Sequence, residues 1–287
     1  MISIIICSRN TDIDQTLKEN IKNTIGCLYE LIVIDNSQNN YSIFAAYNEG
    51  VRRAQSKTLC FMHEDIEYKT YGWGNIVLNT LKDNDTSGCV AIGSTYVRKA
   101  PSYTNNGRFT YYNILHEHGH LQSKQSTMVP VITFDGFWFC LKKDCFDTIY
   151  FDEKNYNGFH FYDMDLALQL FQNHFSIVYT PHIKIFHSYG ANFNKQWLIN
   201  SFIFYKKWKH ILPLHLSTPQ QHQPSKIEKE TFELEAIYTI LRQIILFKKF
   251  DLLATFFQMV RDVLGVPALL YVLKSIIHHN TTRKWHR

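Results

Sequence analysis

The apolar positions of the first hundred residues fall into short unbroken runs separated by helically spaced ones. ISIIIC (2–7) is a continuous run rich in isoleucine, ELIVID (30–35) is a second that ends in an acid, KTLCFMHED (57–65) a third and CVAIGSTYV (89–97) a fourth. Between them DIDQTLKENIKNTI, SIFAAYNEGVRRAQ and GWGNIVLNTLK place apolar residues three and four apart, the spacing that lines one face of a helix. Runs without alternation suit strands covered on both faces, as in a parallel sheet with helical crossovers. The pattern predicts an α/β domain with a mostly parallel sheet flanked by helices. Ligands of such sheets bind beyond the carboxyl ends of the strands, which is where Asp35 and the His63-Glu64-Asp65 triplet fall.

The rest of the chain divides in two. GFHFYDMDLALQLF (158–171) has helical spacing, with Asp163 and Asp165 in or just before its first turn, where the helix dipole favours ionised carboxylates. LSTPQQHQPSK (216–226) has no apolar periodicity and reads as a linker. The predicted organisation is a catalytic domain over 1–215, a linker over 216–226 and a basic helical extension over 227–287. In the extension Ile237, Ile240, Leu241, Ile244 and Ile245 form one apolar face, and Leu252, Leu253, Phe256, Phe257, Val260 and Leu264 a second. Pro267 suits the start of a third helix with Leu270, Leu273 and Ile277.

Charge sharpens this division. The formal charge is only +5, but residues 236–287 hold eight lysines and arginines against Asp251 and Asp262. The basic helices are therefore expected to meet an anionic membrane surface or a membrane-bound partner, the alternative being that they pack on the catalytic domain or form a homodimer, and none has the apolar length to span a bilayer. Six cysteines without a CxxC pair suit a reducing cytoplasm. The first apolar run is too short for a signal-peptide core. The expected location is the cytoplasm, with peripheral attachment to the inner face of the membrane as the alternative, and no nucleic-acid partner is expected.

Side chains alternate along a strand, so His63 and Asp65 are expected to point one way and Glu64 the other. An imidazole and a carboxylate projecting together can hold a divalent cation and leave room for phosphate oxygens. The competing reading is an ordinary solvated strand end. A second cation motif is HEHGH (116–120), where His116, Glu117 and His120 fit the H-E-x-x-H pattern of zinc proteases. Gly119 weakens the helix that this pattern requires, and the stretch 98–130 reads instead as a long loop over a site.

ISIIICSRN, ELIVIDNSQNN, AYNEGVRRAQSKTLCFMHED, DGFWFCLKKDCFDTIYFDE, FYDMDLALQL and IKIFHSYG follow one another in the order of the family-2 nucleotide-sugar glycosyltransferases of GT-A fold, which the chain resembles over about residues 2–210. It is most similar to the streptomycin-biosynthesis glycosyltransferase-like branch, whose Asp-x-Asp motif tends to read His-x-Asp. The resemblance implies a metal-dependent, inverting transfer of sugar from a nucleotide donor, with UDP favoured, to a hydroxyl of a glycan or lipid-linked acceptor. It implies Asp35 on the base, Asn48 and His63 on the nucleotide, and Asp65 with His187 on Mn2+ or Mg2+. Asp163 would be the base that takes the acceptor proton, with Gly136, Trp138 and Asp165 about the donor and acceptor pocket. Asp163 and Asp165 lie two apart on a helix and face different directions, so they would not share a proton. Tyr47 stands where the family often has Arg, and Tyr162 where it has Glu. These departures keep open a non-catalytic nucleotide-sugar-binding relative.

Overall fold

The computed structural model describes residues 1–83, 85–103, 106–117, 119–188, 193–217 and 223–282, with side chains to residue 267. In chain order the elements are β1 (Ile2–Ser8), α1 (Gln15–Thr24), β2 (Tyr29–Asp35), α2 (Ile43–Arg53), β3 (Thr58–Met62), β4 (Ile66–Tyr68), α3 (Trp73–Lys82) and β5 (Gly88–Val90). There follow β6 (Ile92–Ser94), β7 (Tyr96–Val97), β8 (Thr110–His116), β9 (Gly119–Gln122), β10 (Val129–Val131), β11 (Thr133–Phe134), β12 (Trp138–Lys142) and α4 (Tyr162–Gln172). The last are β13 (Ile177–Tyr179), β14 (Ile185–His187), α5 (Lys195–Trp208), β15 (Leu214–His215), α6 (Lys226–Leu246) and α7 (Leu253–Thr282).

The chain forms two compact units: residues 1–97, 103–192 and 213–223, and residues 98–102, 193–212 and 224–287. The first unit is built on a seven-stranded sheet of order β10-β13-β5-β12-β3-β1-β2. β2, β1 and β3 are parallel neighbours, as are β5 and β13, while β12 runs antiparallel between β3 and β5 and β10 antiparallel on the edge. The fold is α/β as expected, and the sheet is mixed: β1, β2 and β3, formed by the runs at 2–7, 30–35 and 57–65, are parallel neighbours, while β12 and β10 run against the other five strands. Its core joins Ile4, Ile6, Met62, Trp73, Trp138 and Ile185.

A second sheet, of order β11-β6-β8-β14-β4, explains where the sequence pattern and the structure part. CVAIGSTYV does not make one strand: β5 belongs to the first sheet, β6 to the second, and β7 pairs with β15. The stretch 98–130, expected as a loop, carries β8, β9 and β10. The same change of sheet occurs between β3 and β4, so the His63-Glu64-Asp65 triplet is a corner between two sheets rather than a plain strand end.

The second unit holds α5, α6 and α7. Ser225 and Glu228 close a capping box on α6, and α7 is two helical pieces broken at Gly265, whose φ of +83° favours glycine. The buried Glu233 carboxylate accepts the backbone N–H groups of Lys99 and Ala100 at 2.6 and 2.7 Å. Ile237, Ile240, Ile244, Phe256 and Val260 are fully buried. Those five side chains of the two expected apolar faces pack in protein, where burial stabilises each by about 1.5–3 kcal/mol, while Leu241, Leu252, Leu253, Phe257 and Leu264 are half-buried. Ile245, Leu246 and Phe250 are left 53%, 64% and 56% exposed beside Lys248 and Lys249. The side chains of Leu270, Leu273 and Ile277, and residues 218–222 of the expected linker, lie outside the described residues. No described helix is long and apolar enough to cross a membrane.

Candidate active site and cation site

The corner after β3 brings three donors together. The backbone N–H of His63 donates to the Phe137 carbonyl at 2.9 Å, fixing the turn against the start of β12. β14 pairs antiparallel with β4 so that His187 lies opposite Ile66, one residue from Asp65. The Ser188 hydroxyl donates to the Asp65 carbonyl at 3.0 Å and locks the pairing. As a result Asp65 Oδ1 lies 3.5 Å from His187 Nε2 and 3.8 Å from His63 Nδ1. One ligand atom from each residue lies within 4.8 Å of the others. Glu64 turns away from them, through the corner rather than by strand alternation, and accepts from the Ser8 hydroxyl and the Arg9 amide at the end of β1.

The arrangement fits a divalent cation. Asp65 Oδ1 and His187 Nε2 are buried without a hydrogen-bond partner. Leaving a polar atom so costs about 1–3 kcal/mol, and more for a charged one, and a cation bound between these atoms would offset that cost. Burial and the neighbouring His187 push the His63 imidazole down to about 4, so it is neutral and able to ligate. Burial acts to raise the Asp65 carboxyl, but His187 and His63 outweigh it and hold it below the usual range. The His187 ring stacks on Phe137 at 4.7 Å. Exposed Phe159 lies 5.1 Å from the His63 ring.

Asp163 sits beside this set in the first turn of α4. Its Oδ2 accepts the Gly136 N–H at 3.0 Å and its Oδ1 the Met164 N–H at 2.8 Å. Burial, with the charge of Asp135, raises its carboxyl to about 7, near the value that suits a general base at neutral pH. Asp135 is itself raised by burial. Sequence reasoning passed over Asp135 because an acid before Gly136 reads as a turn residue; only the fold places it near Asp163.

The other expected site residues separate into those at the strand ends and those engaged elsewhere. Asp35 is exposed at the end of β2, level with Ser8 of β1, and accepts from the Ser37 amide at 2.9 Å. Asn48 does not present its amide to a ligand: Nδ2 donates to Phe151 O and Glu153 Oε1, and Oδ1 accepts from Phe151 N. Both donors are used in fastening α2 to the 151–153 segment. Trp138 is no sugar contact, being fully buried with its indole N–H on the Tyr68 hydroxyl at 2.8 Å. Buried Asp165 is likewise outside the pocket, held by Tyr156 and Gln169 at 3.1 and 2.8 Å. Tyr47, in the position where Arg is frequent in the family, is buried against Phe61, Phe151 and Tyr162.

The protease motif is excluded by its backbone. His116 ends β8 and His120 lies in β9, paired as a hairpin, so no helix brings them to one face. His116 Nδ1 meets the His187 carbonyl at 2.9 Å and His120 Nε2 meets Asn113 Oδ1 at 2.9 Å.

These features have counterparts among known proteins. The chain belongs to the Glycosyltransferase like family, whose profile matches residues 3–209. The solved structure of GalNAc-T7 with UDP, GalNAc and Mn2+ is similar over 73% of this chain and 49% of that one, with a TM-score of 0.50 and 12% identity. The present chain thus spans about half of that protein's length, and the likeness establishes the GT-A fold. A197 from STIV is similar over 78% of this chain and 98% of its own, at a TM-score of 0.40 and 11% identity, which carries no argument. No curated protein matches the chain in sequence.

Proposed function

We propose that this glycosyltransferase is metal-dependent and inverting, and that it moves a sugar from a UDP-sugar to a hydroxyl of a glycan or lipid-linked acceptor. The observation that carries the reading is the convergence of His63, Asp65 and His187 with two buried ligand atoms unpartnered, next to a carboxylate raised to about 7. Asp65 and the two imidazoles hold Mn2+ or Mg2+. The bound cation would draw negative charge from the departing diphosphate. Asp163 accepts the proton of the attacking hydroxyl, and the two backbone N–H groups on its oxygens fix the direction in which the carboxylate faces. Asp35, exposed beyond β2, receives the uracil imide N–H. The His-x-Asp form of the corner supports placing the chain in the streptomycin-biosynthesis-like branch.

Calorimetry of UDP with and without Mn2+, joined to an assay of UDP release from UDP-sugars, tests the reading. Mn2+-dependent binding with slow donor hydrolysis is expected. Binding without any release would favour the non-catalytic relative. UDP binding that ignores Mn2+ and Mg2+ would remove the cation from the mechanism.

For the extension we propose contact with an anionic bilayer through Ile245, Leu246 and Phe250, the apolar residues left exposed beside Lys248 and Lys249. Full-length protein should sediment with anionic vesicles at low salt, and Phe250→Glu should release it. Equal behaviour with neutral vesicles, or a salt-insensitive dimer, would overturn this.

A further inference from the structure

The departure at position 162 has a structural explanation, and it reaches the cation site. Tyr162 is 3% exposed, and its hydroxyl lies 2.8 Å from His63 Nε2. The two nitrogens of an imidazole point in different directions, so a partner on Nε2 decides where Nδ1 points. Here Nδ1 is the nitrogen that faces Asp65. A neutral imidazole that ligates through Nδ1 carries its proton on Nε2, and that N–H then donates to the phenol oxygen.

The surroundings of Tyr162 hold this contact from three sides. The phenol ring packs edge-on to Tyr47 at 5.6 Å and to Phe44 at 6.3 Å. Before it, Phe161 has a φ of +70°, an outlying conformation for a bulky residue that the fold must sustain. Opposite lies Gly136, where an added Cβ would stand 2.3 Å from the Tyr162 hydroxyl and 2.4 Å from Cζ. Glycine at 136 therefore makes room for this phenol, while its N–H holds Asp163. One backbone position thus touches both the partner of His63 and the candidate base.

We propose that Tyr162 is a positioning residue for the cation site, orienting His63 through Nε2 in a pocket that Gly136 opens. The inference rests on the cation reading of His63, Asp65 and His187. It gives the chain's Tyr-for-Glu departure a role paired with its His-for-Asp departure: the imidazole has a second ring nitrogen whose N–H the phenol oxygen accepts, and a carboxylate in its place has no such donor.

A double-mutant cycle on the full chain tests it, reading the affinity for MnCl2 by electron paramagnetic resonance with and without UDP. Tyr162→Phe keeps the ring and its packing and removes one oxygen. It should weaken Mn2+ about 10–100-fold, the usual loss for an outer partner of a histidine ligand. In a His63→Ala background, Tyr162→Phe should change Mn2+ affinity less than about twofold, because the coupled partner is gone. Equal losses in both backgrounds would make Tyr162 a packing residue and overturn the proposal, as would no loss in either. Wild-type protein that takes up no Mn2+, alone or with UDP, would overturn the cation site itself and this inference with it.

Discussion

The corner at 63–65 and the hairpin at 116–120 offer a cation nearly the same side chains, histidine and a carboxylate within a few residues, yet the fold treats them differently. At the corner the chain leaves the first sheet for the second, residues 63 and 65 converge, and β14 delivers His187 from far along the sequence. At the hairpin, His116 and His120 are carried by paired strands, and one ring nitrogen of each is held by an oxygen, of His187 and of Asn113. A dense run of ligand residues is thus not yet a site. What matters is whether backbone pairing brings a third donor from elsewhere and leaves the ligand atoms unpartnered.

The largest expected effect asks whether the corner belongs to a reaction site at all. Asp163→Asn should lower sugar transfer by about 10²–10⁴-fold, the usual contribution of a positioned base, while UDP and Mn2+ affinities stay within twofold. The amide keeps one oxygen, for either the Gly136 or the Met164 N–H, and turns its NH2 towards the other, so melting curves are recorded alongside to show that the variant folds. Steady-state transfer at saturating donor, with calorimetry alongside, separates the two quantities. Unchanged turnover would remove Asp163 from the chemistry and reduce the corner to a binding site.

Next in size is the contrast between the two stretches themselves. Asp65→Ala should weaken Mn2+-dependent UDP binding by about 100-fold, since it removes the charged ligand and leaves His187 facing a void. Glu117→Ala, at the exposed hairpin tip, should leave that binding within twofold. If both variants lose Mn2+ alike, the comparison fails and the hairpin holds part of the site.

How much of this was legible in the sequence follows from which interactions are local. β1, β2 and α2 announce themselves because unbroken apolar runs and helical spacing are local signals. Asp65 and His187 could be paired through the family's motif order. The change of sheet after Val90 and again after Met62 could not be seen, since it depends on which strands are available as neighbours. Trp138 read as a sugar contact because an aromatic in a strand carries no mark of which face is buried; its partner Tyr68 settles that. Asn48 kept a family position while its amide went to a backbone segment a hundred residues away. Tyr162, in the place of the family's Glu, carries no local mark of a partner; its hydroxyl meets His63, 99 residues away in the chain.

A smaller effect is expected from pH. With its carboxyl at about 7, Asp163 is protonated in more of the free enzyme as pH falls, so transfer should drop up to about tenfold per pH unit below 7 and level off above it. Stability moves the opposite way. A carboxyl raised above its usual 3.8 favours the folded state below about pH 4, and this contribution is lost as pH rises through about 7. Asp163→Asn, which does not titrate in this range, should therefore gain melting temperature relative to wild type between pH 4 and pH 8. Allowing for solvent near a half-buried side chain, the gain is on the order of 1–2 kcal/mol, or roughly 2–4 °C for each kcal/mol. Matching melting curves at both pH values would return Asp163 to the ordinary carboxylate range.

The smallest effect tests a side-chain link between the two stretches. His116 Nδ1 lies 2.9 Å from the His187 carbonyl, and because a carbonyl only accepts, the imidazole must carry its proton on Nδ1. The bond restrains the backbone that presents His187 to Asp65, without touching a ligand atom. One such bond is worth about 0.5–1.5 kcal/mol, so His116→Ala should weaken Mn2+ about 2–10-fold, less than Asp65→Ala and more than Glu117→Ala. Gln at 116 can donate an amide N–H in its place and should recover part of the loss. Competition against a calibrated chelator resolves differences of this size. A loss as large as that of Asp65→Ala would make His116 a ligand and bring the hairpin into the cation site; no loss would leave His187 held by the pairing of β14 with β4 and β8, by Ser188 and by its stacking on Phe137.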